Sequence, residues 1–134
     1  MLMGSLMGAV AFQKGLGVVH SMAHPLSSLV DMHHGLANAI CLPYGMEFNI
    51  PGQEDKFKEI AFALGIKDGS GMDVISYLTA MNTKLGLPAK LSEQGVSPDQ
   101  IQELANLAIN DFCHPDNPRT VSLANFNSLY TNAI

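Results

Sequence analysis

Four of the five histidines in this chain, His20, His24, His33 and His34, fall within fifteen residues, although only 14% of the 134 residues are charged. His20 and His24 stand four apart, so on a helix both imidazoles project from one face, a geometry that can hold a divalent ion. By spacing alone these two form the chelating pair, and His34 lies just beyond the helix, in front of Gly35. Neutral imidazoles suit zinc, iron, cobalt or nickel and disfavour calcium or magnesium. A solitary histidine more often satisfies a hydrogen bond in a core, but four so close together favour a site.

Other features carry less. Gly15-Leu16-Gly17-Val18-Val19-His20 imitates a dinucleotide fingerprint, but its third glycine is a histidine and no strand or βαβ pattern surrounds it. Cys113-His114 looks like half of a nucleophile pair, yet sequence neighbours point in different directions and no orienting group can be named. Met22, Met46, Met72 and Met81 occupy helical apolar stripes and read as core filler.

The elements that must position the histidines read as helices throughout. Residues 1–13 form the first, expected to be buried because it is almost wholly apolar. The second runs from Val18 to about Asp31, with Pro25 tolerable only at a bend or in the first turn. Leu36–Phe48 follows with a period near 3.6. Asp55–Leu64 places Phe57, Ile60, Ala61 and Leu64 on one face, and Met72–Leu85 does the same with Val74, Ile75 and Leu78. Ser97, Pro98 and Gln100 form a capping box before the stripe Ile101, Leu104, Ala105 and Ala108, and a last helix begins near Ser122. No strand-like alternation of useful length interrupts the pattern, so the expected fold is all-α. Residues 1–134 make one helical domain, with the metal-site half at 15–49 and the remaining helices at 52–134.

Composition narrows the function. Twelve acidic against seven basic residues leave a net charge of −5, which argues against nucleic acid as a partner. Cys41 and Cys113 offer neither a disulfide framework nor a thiolate zinc spacing, which suits a reducing cytoplasm. The opening apolar run lacks the basic residues of an export signal and is too short to span a bilayer, so no membrane partner is expected.

The stretch Gly15 to Asn49, GLGVVHSMAHPLSSLVDMHHGLANAICLPYGMEFN, closely resembles the signature of the iron-containing (group III) alcohol dehydrogenases. The likeness continues through GLPAKLSEQGVSPDQIQELANLAINDFCHPDNPR and the closing SLYTNAI. The resemblance implies the C-terminal helical domain of such an enzyme, whose N-terminal α/β domain binds NAD(P). It makes His20 and His34 the metal ligands, with Fe2+ or Zn2+ as the ion, and His24 a neighbouring histidine that contacts substrate and cofactor. The family's aspartate and first histidine ligand would lie upstream of this sequence, as would the pyrophosphate loop. His33 stands where many members have proline, and Ser27-Ser28 where glycine is common.

The implied chemistry is reversible hydride transfer between a small alcohol or aldehyde and nicotinamide, with the metal as Lewis acid. The chain alone is expected to lack that activity, being a piece of such an enzyme, a truncated gene product or one part of a split enzyme. Its expected partner is the missing N-terminal domain or a second copy. The alternatives are a non-catalytic helical remnant that self-associates through uncovered apolar faces, and an autonomous metallohydrolase, which no HExxH pattern supports.

Overall fold

Apolar residues recurring at helical spacing bury their stripes against one another, and the computed structural model, which describes residues 1–134, is accordingly built of helices without a strand. The helices are α1 (Leu2–Phe12), α2 (Val18–Val30), α3 (His34–Asn49), α4 (Glu54–Ala63), α5 (Gly71–Lys84), α6 (Ile101–Ile109) and α7 (Leu123–Ala133). Short 3-10 turns lie at Leu91–Gln94, Pro98–Gln100 and His114–Asp116. The expected boundaries agree with these to within about two residues, except before α6. There Ser97 N–H donates to Gln100 Oε1 at 2.9 Å as its capping box predicts, but Pro98–Gln100 forms a tighter 3-10 turn ahead of the α-helix.

The core is centred on α2, which packs on α3 and α6, while α7 closes over α6 and α3. Val18, Met22, Ala23 and Leu26 of α2 meet Ala37, Ile40 and Cys41 of α3, Leu104, Ala105 and Ala108 of α6, and Phe126 and Tyr130 of α7. Tyr130 is fully buried and its hydroxyl donates to the Met22 carbonyl oxygen at 2.8 Å, which ties the last helix to the helix bearing His20 and His24. A smaller cluster, Phe57, Ala61, Val74 and Ile75, joins α4 to α5.

Two proline positions shape the centre. Pro25 sits in the second half of α2, not in its first turn, so the Ser21 carbonyl has no helical donor four residues on. Pro43 does the same to the Ala39 carbonyl within α3, and there the vacancy is filled: Asn82 Nδ2, buried on α5, donates to Ala39 O at 2.7 Å. Where α2 and α3 cross, Gly45 lets the backbones approach, since a Cβ there would lie 2.5 Å from Val19 Cγ2.

Two expectations fail. The first helix is exposed along its whole length, with Leu2, Met3, Leu6, Met7, Val10 and Phe12 all in solvent. Its apolar residues run all round the helix, so no single face is selected for burial. Among the methionines, Met22 is buried and Met46 packs on the smaller cluster, but Met72 and Met81 are exposed. The inner face of α5 is made by Val74, Ile75 and Asn82, and both methionines fall to the side of it. No helix is long and apolar enough to cross a membrane.

Candidate metal centre

Helix α2 starts where Asn117 takes over an orphan amide. Its Oδ1 accepts from Val18 N–H at 3.1 Å and from Asn49 Nδ2 at 3.0 Å, and its Nδ2 donates back to Asn49 Oδ1 at 2.7 Å. The start of α2 and the end of α3 are thereby fixed to one loop, two residues ahead of His20. At the other end Asp31 adopts the left-handed conformation, φ 53°, and stops α2, while Met32 N–H returns to Leu26 O at 3.2 Å. This turn makes His34 the first residue of α3 and brings it back over the α2 histidines.

Three rings converge. Their centroids lie 5.9 Å apart for His20 and His24, 5.5 Å for His20 and His34, and 5.3 Å for His24 and His34. The i, i+4 pair expected from spacing and the pair implied by the family resemblance therefore belong to a single cluster. His33 is exposed and stands outside it, its ring turned toward Gly35. His114 is also elsewhere: its Nε2–H donates to Ile109 O at 2.9 Å and its ring meets Phe126 edge-on, a core histidine with a satisfied hydrogen bond.

The electrostatics suit a cation ligand. Burial, followed by the neighbouring His34 and His24, lowers the pKa of His20 against the opposing pull of Asp111, so its imidazole favours the neutral form that metal ligation requires. Asn38 Nδ2 lies 3.0 Å from His34 Nε2 and donates to the His34 carbonyl oxygen at 3.0 Å, so an ion held at Nε2 would take the place of the amide there. A donor set of neutral imidazoles fits Fe2+ or Zn2+, and His20 with His34 would supply two of the four or more ligands such an ion takes.

Asp111 was not visible as a site residue in the sequence. From the loop after α6 its Oδ2 lies 2.7 Å from His24 Nδ1, while Oδ1 accepts from Ser21 Oγ at 2.6 Å and from Cys113 N–H at 2.9 Å. Burial alone would raise its pKa, but the donors Ser21, His24 and Cys113 outweigh that and hold the carboxyl at about 2. Phe112, largely exposed, stacks on the His24 ring at 5.7 Å. Ligand atoms of His24, Asp111 and Cys113 all lie within 4.8 Å, yet this group is a hydrogen-bonded cluster. The Cys113 thiol is pushed up to about 12, by burial first and then by its contact with Asp111, so it is neither a ready nucleophile nor a ready thiolate ligand. The one sequence signal for Asp111 is its place two residues before Cys113-His114; its contact with His24 spans 87 positions.

Comparison with known proteins identifies the family of the chain. The Fe-containing alcohol dehydrogenase family, C-terminal, matches residues 1–134, and the chain belongs to that family. It is 36% identical over 135 residues to 4-hydroxybutyrate dehydrogenase of Cupriavidus necator, covering 94% of this chain and 35% of that protein. It is 35% identical over 140 residues to lactaldehyde reductase of Escherichia coli K12, covering 99% and 37%. Among solved structures, a 1,3-propanediol oxidoreductase superposes with a TM-score of 0.83 at 33% identity over 89% of this chain and 33% of that one. The chain thus spans about a third of the length of the curated relatives it matches.

Proposed function

We propose that this chain is the metal-holding helical part of an NAD(P)-dependent alcohol dehydrogenase acting on small alcohols and aldehydes, and that it works together with a nicotinamide-binding part. The convergence of His20, His24 and His34 carries the reading. His20 and His34 hold the divalent ion, Fe2+ or Zn2+, with further ligands from the other part. An ion held there supplies Lewis acidity toward an alcohol or carbonyl oxygen. His24 contacts substrate and cofactor and carries the hydroxyl proton at its free ring nitrogen. Phe112, stacked on His24, keeps water from one face of that ring. Alone, the chain supplies half of the ligands and does not turn over.

The test is a chimera in which residues 1–134 replace the matching stretch of E. coli lactaldehyde reductase. Alcohol-dependent reduction of NAD(P)+ is expected. His20→Ala and His34→Ala should lose both metal and turnover, and His24→Ala turnover alone. A His24→Ala chimera with undiminished turnover would remove His24 from the chemistry, and full metal content in the His20→Ala/His34→Ala pair would remove the ligands.

A second reading, a non-catalytic self-associating module, is favoured by the exposed apolar α1. It predicts concentration-dependent association of the chain in sedimentation, abolished by deleting residues 1–13.

A further inference from the structure

Within the cluster, His24 is the histidine that the protein holds most firmly. Its ring stacks with both Phe112, 5.7 Å and 29° away, and His34, 5.3 Å and 18° away, so its plane is set by stacking. Rotation within that plane is set by Asp111, at 2.7 Å from Nδ1. Asp111 is in turn immobilised, because Oδ1 accepts from the buried Ser21 hydroxyl one residue after His20 and from the Cys113 backbone N–H.

We propose that Asp111 is a positioning residue that fixes His24 as the Nδ1–H tautomer, leaving Nε2 as the bare nitrogen that meets a substrate hydroxyl. The assignment of the hydroxyl rests on the reading of His24 given above; the tautomer does not. A carboxylate has only acceptors, so the neutral ring beside it must present N–H at Nδ1. Orientation of a histidine by a carboxylate on its far nitrogen recurs in acid–base and metal sites, where it fixes which nitrogen is free.

The same contacts predict what an isosteric change does. In Asp111→Asn the amide must place its oxygen where Oδ1 now lies, because the Cys113 N–H cannot turn away from that position. The amide NH2 then faces His24 Nδ1, which can only accept. The ring is forced into the Nε2–H tautomer with its position unchanged, and the nitrogen offered to a substrate changes from acceptor to donor.

The test is two-bond 1H–15N correlation on the 15N-histidine-labelled chain at about pH 8, where free imidazole is neutral, with His24 assigned through His24→Gln. The account predicts protonated Nδ1 and bare Nε2 in the wild type, exchanged in Asp111→Asn, and unchanged in Ser21→Ala, where the Cys113 N–H still holds Oδ1. Bare Nδ1 in the wild type, a doubly protonated ring, or no exchange in a folded Asp111→Asn overturns it. Should Asp111→Asn fail to fold, the wild-type tautomer alone decides. The readout needs neither metal nor turnover, so the expected tautomer combined with an active His24→Ala chimera would retire the proton role and leave the positioning role standing.

Discussion

The two walls of the histidine cluster are built to different standards. On the α2 side, His20 and His24 stand on a helix whose start is capped by Asn117, whose inner face is core, and whose second histidine is bonded to a half-buried carboxylate. On the α3 side, His34 opens its helix in an exposed position, and apart from the rings of His20 and His24 its side chain is bonded to Asn38 alone. The difference shows which half of the site this chain organises by itself. The α2 wall is finished by residues of this chain, and the α3 wall has room for contacts from elsewhere.

The comparison can be broken most severely where the walls meet. Gly45→Val drives a branched side chain into Val19, and it should cost about 3 kcal/mol of stability in chemical denaturation and disperse the cluster. The next largest effect belongs to Asp111. Its folded pKa of about 2 lies below the ordinary carboxylate value near 4, so its stabilisation, about 2 kcal/mol, is complete above pH 4–5 and disappears as pH falls through about 2. Denaturation followed down this range should show the loss in the wild type and its absence in Asp111→Asn. Tyr130→Phe deletes one buried hydrogen bond to α2, and a loss of about 1 kcal/mol is expected. Asn38→Ala, on the α3 wall, should change stability by less than about 0.5 kcal/mol; a loss equal to that of Asp111→Asn would erase the asymmetry.

His20 adds a pH signature of its own. Because its folded pKa is lowered, protonation opposes folding, and its contribution is full above pH 6.5 and falls as the solution is acidified below that value. His20→Gln should flatten the stability profile in this window.

Much of this architecture was legible in the residues. The stripes of α4 and α6 are local, periodic signals, and they gave elements close to where the structure has them; the last helix, expected from near Ser122, begins at Leu123. The histidine spacing pointed to a site because i, i+4 geometry is also local. What stayed hidden depends on the tertiary fold. Nothing near Asp111 announces His24, and nothing in α5 says that Asn82 will satisfy a carbonyl freed by Pro43. Apolar content without a favoured face misled in α1, where hydrophobicity gave no direction and burial did not follow.

The most direct measurement is elemental analysis of the lactaldehyde reductase chimera, reconstituted with Fe(II) or Zn(II), with His20 and His34 intact (the wild type) beside the His20→Ala/His34→Ala double variant. The account predicts metal bound by the wild type in proportion to protein and lost in the double variant. Equal metal in the two, or none in either, would contradict the assignment of His20 and His34 as ligands.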